Sequence, residues 1–165
     1  MFSLYHRNYK KLYTKLVELS RNTFFYNDLS FKDTLETRIY LVFFHLSIII
    51  LIINNKFKNK KENQSIFDNI FQNIEYHLRE NGMGDVSVNK RMKDLTKIFY
   101  DILIKLNISK DNNFTVNEKL TFKYIQIISN KNNNNEKFKD YLISFYKFCF
   151  DLELKDIISG DIKFK

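Results

Sequence analysis

Between Arg38 and Lys56 the chain runs for 17 residues without a charge, and 15 of them, 39–53, read Ile-Tyr-Leu-Val-Phe-Phe-His-Leu-Ser-Ile-Ile-Ile-Leu-Ile-Ile. Such a segment must be covered by lipid or by protein. A membrane-spanning helix needs about 20 mostly apolar residues. This run is shorter, and Tyr40, His45 and Ser47 interrupt it. A helix that is apolar nearly all round is also what the central helix of a bundle looks like. The expectation is a buried central helix, with a membrane-dipping segment as the alternative. A chain of 165 residues fits one domain that buries roughly 70% of its unfolded surface.

The flanking segments supply the covering. Tyr5, Tyr9, Leu12, Leu16 and Leu19 recur at spacings of four and three, which places them on one face of a helix over Leu4 to Asn22. Phe24-Phe25-Tyr26 is an aromatic knot, expected to plug one end of the bundle. Asp33 and Glu36 have the spacing of a capping box opening the apolar helix. Asn54 to Asn63 reads as a polar, basic connection: a solvated loop, or a patch facing an anionic surface. From Gln64 to Asn81 a helix buries Ile66, Ile70, Ile74 and Leu78. Gly82 ends it, as glycine does where the chain turns left-handed. The next helix starts near Asp85 or Ser87 and buries Val88, Met92, Leu95, Phe99, Ile102 and Leu106. Lys90, Lys93 and Lys97 fall on its opposite face. Asn107 to Phe114 is expected as a loop, and Thr115-Val116-Asn117-Glu118 as a second capping box. The run Lys131 to Asn135 reads as a mobile connector, and a last helix spans about Glu136 to Leu154. No segment alternates as a strand. The fold class expected is all-α, a single-domain bundle of about six helices over 1–165.

The net charge of +8 comes from 22 Lys against 5 Arg. A basic balance raises nucleic acid or an anionic membrane as partners. Asn, Ile, Lys and Phe also have AT-rich codons, so codon usage alone accounts for such a surface equally well. The few arginines carry more information. Cys149 is the one cysteine, which excludes an internal disulfide and a CxxC site. Met1 to Lys11 has no apolar core of a signal peptide, so no secretory leader is expected there.

No catalytic constellation is found. His6, His45 and His77 lie on three different segments without paired zinc spacing. His45 reads as a hydrogen-bonded core histidine. Gly82-Met83-Gly84 follows no strand and lacks the third glycine of a phosphate loop. Glu80 and Asp85 stand so near Arg79, Lys90 and Arg91 that an ion-pair network fixing the turn is the simpler use for them.

The residues do carry a family resemblance. Leu12-Tyr13, Leu16-Val17, Ser20-Arg21, Phe25-Tyr26, Asp33-Thr34, Arg38 and His45 resemble, in order and spacing, the ubiquinol–cytochrome c chaperone family. So do Phe67-Asp68, the run Leu78-Arg79-Glu80-x-Gly82-x-Gly84-Asp85-x-Ser87-Val88-x-Lys90-Arg91, and Phe99-Tyr100. The likeness covers about Leu12 to Tyr100, and beyond Asp101 the chain is read as helical from periodicity alone. Lys32 stands where the family has proline, and Asn89 and Asp101 where it has glycine.

The resemblance implies an assembly chaperone and no enzyme. Its client would be newly made cytochrome b on the way into ubiquinol–cytochrome c reductase, with no cofactor of its own. A small partner protein or the ribosome would be further partners. The place implied is the cytoplasm, peripheral to the inner membrane. Arg21, Phe24, Phe25, Tyr26, Asp33, Arg38, Arg79, Glu80 and Asp85 are the residues expected to bind the client or shape its site. Lys90, Arg91, Lys93 and Lys97 are expected to face membrane or ribosome. Internal bracing is the competing account of the charged turn. The alternative function is a small basic helical module that binds RNA or anionic membrane without a client, although no motif for reading nucleic-acid sequence is present.

Overall fold

The computed structural model describes residues 2–131 and 134–165. Side chains of residues 2–8 and of Phe122 lie outside that description, and so do the expected stripe residue Tyr5, His6, and Asn132 and Asn133 of the connector. Among the described residues, seven α-helices share one hydrophobic core: α1 (Phe2–Ser20), α2 (Leu35–Ile52), α3 (Lys60–Glu80), α4 (Asp85–Ile104), α5 (Glu118–Ile128), α6 (Asn135–Phe150) and α7 (Leu154–Ile158). One two-stranded hairpin, β1 (Leu106–Ile108) and β2 (Phe114–Val116), lies between α4 and α5.

Helix α2 is the axis. Every side chain from Ile39 to Ile50 is buried, and the helix packs against α1, α4, α5 and α6. It is long and apolar enough to cross a membrane, yet 83% of its most apolar stretch is buried within the protein. Protein therefore covers the uncharged run. Its start differs from expectation by one residue. Thr34 is the N-cap, its Oγ1 accepting from the Thr37 amide at 3.2 Å. Asp33 is drawn away because the Arg38 guanidinium donates to it at 2.5 Å.

A π-helical turn, Phe24–Asp28, joins α1 to α2. Phe25 is fully buried there, with ring centres 4.8 Å from Tyr141, 6.0 Å from Phe31 and 6.2 Å from Phe138. Burying such a side chain contributes about 1.5–3 kcal/mol. The following segment is clasped by the far end of the chain. Phe31 bridges Ser129, and the Lys32 amide donates to the Ile128 carbonyl at 2.7 Å. The Asn134 side chain is buried and donates to the Leu29 carbonyl at 2.5 Å. Among the described residues the Asn run therefore contains a clasp, and α6 begins inside it at Asn135.

The basic connection is shorter than expected. A second π-helical turn, Ile53–Phe57, prolongs α2, and α3 starts at Lys60 behind an Asn59 cap. Lys56 donates to the carbonyls of Phe150 at 2.5 Å and Leu152 at 3.1 Å. It thus satisfies acceptors at the C-terminal end of α6, where a cation is favoured.

Helix α3 ends in a Schellman motif. The Met83 amide donates to Leu78 O at 3.2 Å and the Gly82 amide to Arg79 O at 2.9 Å. Gly82 has φ +87°, the left-handed region that favours glycine. Gly84 is the N-cap of α4, without a side-chain cap, and neither Asp85 nor Ser87 takes that role.

The loop expected after Asn107 contains the hairpin, in register Leu106↔Val116 and Ile108↔Phe114. Both strands bury their outer residues and expose the middle one. Thr115 is therefore in a strand. Asn117 caps α5 instead, accepting from the Lys119 amide at 2.9 Å. The expected last helix breaks after Phe150, and α7 follows as a separate turn. Gly160 then ends α7 with φ +72° and lies directly on α1: a Cβ there would stand 2.7 Å from Lys11 O. The tail beyond it buries Ile162 and sets Phe164 against Tyr141, Phe145 and Phe148.

Candidate functional site

An apolar cleft of about 190 Å³ opens between α1, α2 and α3. Val17, Leu35, Ile39, Val42 and Ile74 line it, and Tyr13, Ser20, Arg21, Arg38 and His77 complete it. Periodicity explains its position. On α1 the buried stripe is Leu12, Leu16 and Leu19, and Tyr13 and Val17 lie one residue round from it, so they border the core without entering it. An apolar cavity of about 150 Å³ admits a benzene ring, so this cleft has room for one large apolar side chain.

The polar groups of the cleft are arranged around two arginines. Arg38 is held by Asp33, which raises its pKa chiefly through that hydrogen bond. Its Nε is buried and, among the described residues, has no hydrogen-bond partner within normal geometry. The guanidinium also interacts with Tyr26, so Arg38 ties the start of α2 to the π-helical turn at the edge of the cleft. Tyr26 donates its hydroxyl to the Ser20 carbonyl at 2.7 Å. Burial raises the Tyr26 pKa, and Arg38 works against that rise. Tyr13 is likewise raised by burial first and by Glu80 next, with Arg21 opposing. Both phenols remain neutral donors, and two arginines, Arg38 paired with Asp33, stand with Glu80 around an apolar floor.

The structure thus brings five sequence-selected residues, Arg21, Tyr26, Asp33, Arg38 and Glu80, to one end of the α1–α2–α3 junction. Others lie elsewhere. Phe25 is core and is not offered to a binding partner. Phe24 stacks on Tyr141 at 5.6 Å, on the wall of an open depression formed with Asn22, Lys137 and Phe164. Arg79 bridges the helix turn: it donates to Glu75 at 2.9 Å and also to Asp85 at the start of α4. That arrangement links the last turn of α3 to the first turn of α4. Arg91 turns toward α2, 3.7 Å from Glu36, which also accepts from the Tyr40 hydroxyl at 2.9 Å. Tyr40 is pushed up to about 12, mainly by burial and then by Glu36. Lys90, Lys93 and Lys97 are exposed and, among the described residues, have no ion-pair partner.

Sequence reasoning missed Tyr13, Val17, Leu35, Ile39, Val42, Ile74 and His77 as lining residues. The available signal was that α1 has more apolar positions than one stripe needs. Among the described residues, no group of three His, Cys, Asp or Glu side chains could hold a metal ion. His45 is fully buried, its Nδ1 2.6 Å from Leu41 O and its Nε2 2.7 Å from the Tyr141 hydroxyl. A carbonyl only accepts, so Nδ1 carries the proton and Nε2 accepts from Tyr141. Burial lowers the His45 pKa to about 4. Burial also raises the Cys149 thiol far above its usual range. Neither group is placed to react.

A family model described as Ubiquinol-cytochrome C chaperone matches residues 27–120, which contain α2, α3 and α4. No curated protein matches the chain. The fold is similar to a crystal structure described as the Cbp3 homolog from Brucella abortus. The TM-score is 0.71, the identity 21%, and the match covers 96% of this chain and 88% of that one.

Proposed function

Given that the chain belongs to the ubiquinol–cytochrome C chaperone family, we propose that it is a non-enzymatic assembly factor for the ubiquinol–cytochrome c reductase. Its client is newly made cytochrome b, held while still unassembled. The observation that carries this reading is the family match over 27–120, which includes four of the cleft's lining residues on α2 and two on α3.

The chemistry of the cleft agrees with such a client. A transmembrane protein awaiting its partners presents large apolar side chains on helices and turns. The cleft accepts one of these, and the guanidinium groups of Arg21 and Arg38 at its rim meet carbonyl or carboxylate groups beside it. A single anchor of this kind binds weakly, which suits a client that must be released. The place of action proposed is the cytoplasmic face of the inner membrane, where a small partner protein can extend the contact surface.

The test places a photo-crosslinking residue at Val17, in the cleft, and in a second strain at Lys147, on the exposed side of α6. Tagged protein is recovered after irradiation from cells making the reductase, solubilised in mild detergent. A cytochrome b adduct from Val17 and none from Lys147 is the expected result. Absence of cytochrome b from both adducts and co-purified material would refute the reading.

A further inference from the structure

The outward face of α4 combines charge with exposed apolar groups. Of five exposed large apolar side chains among the described residues, three lie on this helix: Val86 is 84% exposed, Ile104 75% and Tyr100 48%. At about 100° per residue, Val86, Lys90, Lys93, Lys97, Tyr100 and Ile104 fall within an arc of about 80°. They form one stripe about 27 Å long, with an aliphatic residue at each end and three lysines between. The lysines are exposed and, among the described residues, unpaired. Acidic groups stay off the stripe. Asp94 stands about 80° round from its centre, and Asp101 is occupied by Lys105 at 2.6 Å, Lys123 at 3.0 Å and Tyr124 at 2.7 Å.

We propose that this face of α4 lies on an anionic lipid bilayer. The core contacts of α4 come from its opposite face, Val88, Leu95, Phe99 and Ile102; of the six stripe residues Tyr100 also rests its ring on Phe67 and Phe99, at 5.7 and 5.6 Å, and leaves half of its surface exposed. Lysine ammonium groups attract anionic headgroups, and aliphatic and tyrosine side chains enter the boundary between headgroups and acyl chains. The composition favours lipid over nucleic acid: the stripe has no arginine, and its ends are aliphatic where RNA would be met by stacking aromatics. Arg91, turned toward Glu36, is outside the contact. The inference rests on the reading of a chaperone working at a membrane, but vesicles free of protein test it independently of the client.

The chain has no tryptophan, so Val86→Trp, Ile104→Trp and, as a control, Lys147→Trp give single fluorescent reporters in the full-length protein. With vesicles of phosphatidylglycerol and phosphatidylcholine, the first two should shift to the blue and be quenched by brominated lipid, and the control should not. Vesicles of phosphatidylcholine alone should bind weakly. In flotation, the triple change Lys90→Gln, Lys93→Gln, Lys97→Gln should lower partitioning about a hundredfold, at about fivefold per lysine. The charge-matched triple Lys137→Gln, Lys147→Gln, Lys163→Gln should lower it far less. Equal losses for the two triples would show attraction by net charge alone and overturn the proposal. Unshifted reporters, or binding to single-stranded polyuridylate in place of vesicles, would overturn it too.

Discussion

Replacing His45 by glutamine should change how stability depends on pH, and the direction follows from where the imidazole sits. His45 is fully buried between Leu41 and Tyr141, and burial lowers its pKa from 6.5 to about 4. The unfolded chain therefore binds a proton at this residue between pH 6.5 and 4 that the folded chain refuses. Over that window stability rises with pH, so the contribution is complete above pH 6.5 and is lost as pH falls through 4. At 1.36 kcal/mol per pKa unit, acidification from pH 7 to pH 4 costs about 3 kcal/mol through this one group. Asp101 acts in a different window. Burial would raise its pKa, but hydrogen bonds from Lys105, Tyr124 and Lys123 bring it down to about 2. Its share is present above pH 3.8 and is lost only below that. Urea unfolding followed by circular dichroism at pH 7, 6, 5 and 4 measures the difference between native protein and His45→Gln, in which all other titrations cancel. The variant should be less stable at pH 7 by about 2 kcal/mol, the loss expected when buried hydrogen-bonding groups are left unpaired. By pH 4 the gap should have closed or reversed. A gap that stays constant from pH 7 to pH 4 would refute the reasoning, as would a His45 ring resonance titrating near pH 6.5.

Gly160→Ala should destabilise by more than about 2 kcal/mol, because a Cβ would meet Lys11 O in a left-handed backbone. Gly82→Ala, left-handed but in open space, should cost only about 1 kcal/mol; comparing the two melting temperatures separates clash from conformation. Ser47 has a buried hydroxyl without a partner among the described residues, so Ser47→Ala should stabilise by about 1 kcal/mol in chemical denaturation. Asp85→Lys removes an exposed partner of Arg79 and should leave thermal stability nearly unchanged. A loss of cytochrome b capture in that variant would assign the α3–α4 turn to the client surface, whereas unfolding would assign it to bracing.

What was legible in the sequence were features with one physical solution. An uncharged run with apolar residues on every side has to be surrounded, and α2 is. Gly82 had to be left-handed because a helix ended there with another starting three residues on. The N-cap of α2 was not legible, since Asp33 and Thr34 are both good caps, and the choice is made by Arg38, which engages Asp33. The hairpin was missed because three residues per strand give too little alternation to read, and it is held by Tyr146, whose hydroxyl donates to Asn112 O at 2.8 Å from a distant helix. Arg91 was grouped with the lysines as the neighbour of Lys90, but at about 100° per residue it stands well round from them, and Glu36 on α2 lies 3.7 Å from it. The cleft was half legible. Arg21 and Arg38 were selected from the family pattern, but the apolar floor between them exists only once three helices converge.

The burial of α2 has a consequence during synthesis. Phe138, Phe145 and the rest of α6, which close over this helix, are made late, after α3, α4 and α5. At 5–20 residues per second, roughly five to twenty seconds separate the emergence of Ile53 from that of Phe145. For that interval the nascent chain presents a segment that a membrane-insertion apparatus reads by length and apolarity alone. This chain therefore begins its existence with an apolar helix that has no neighbours. Tyr40, His45 and Ser47 make that helix a poorer substrate for insertion until its own bundle encloses it.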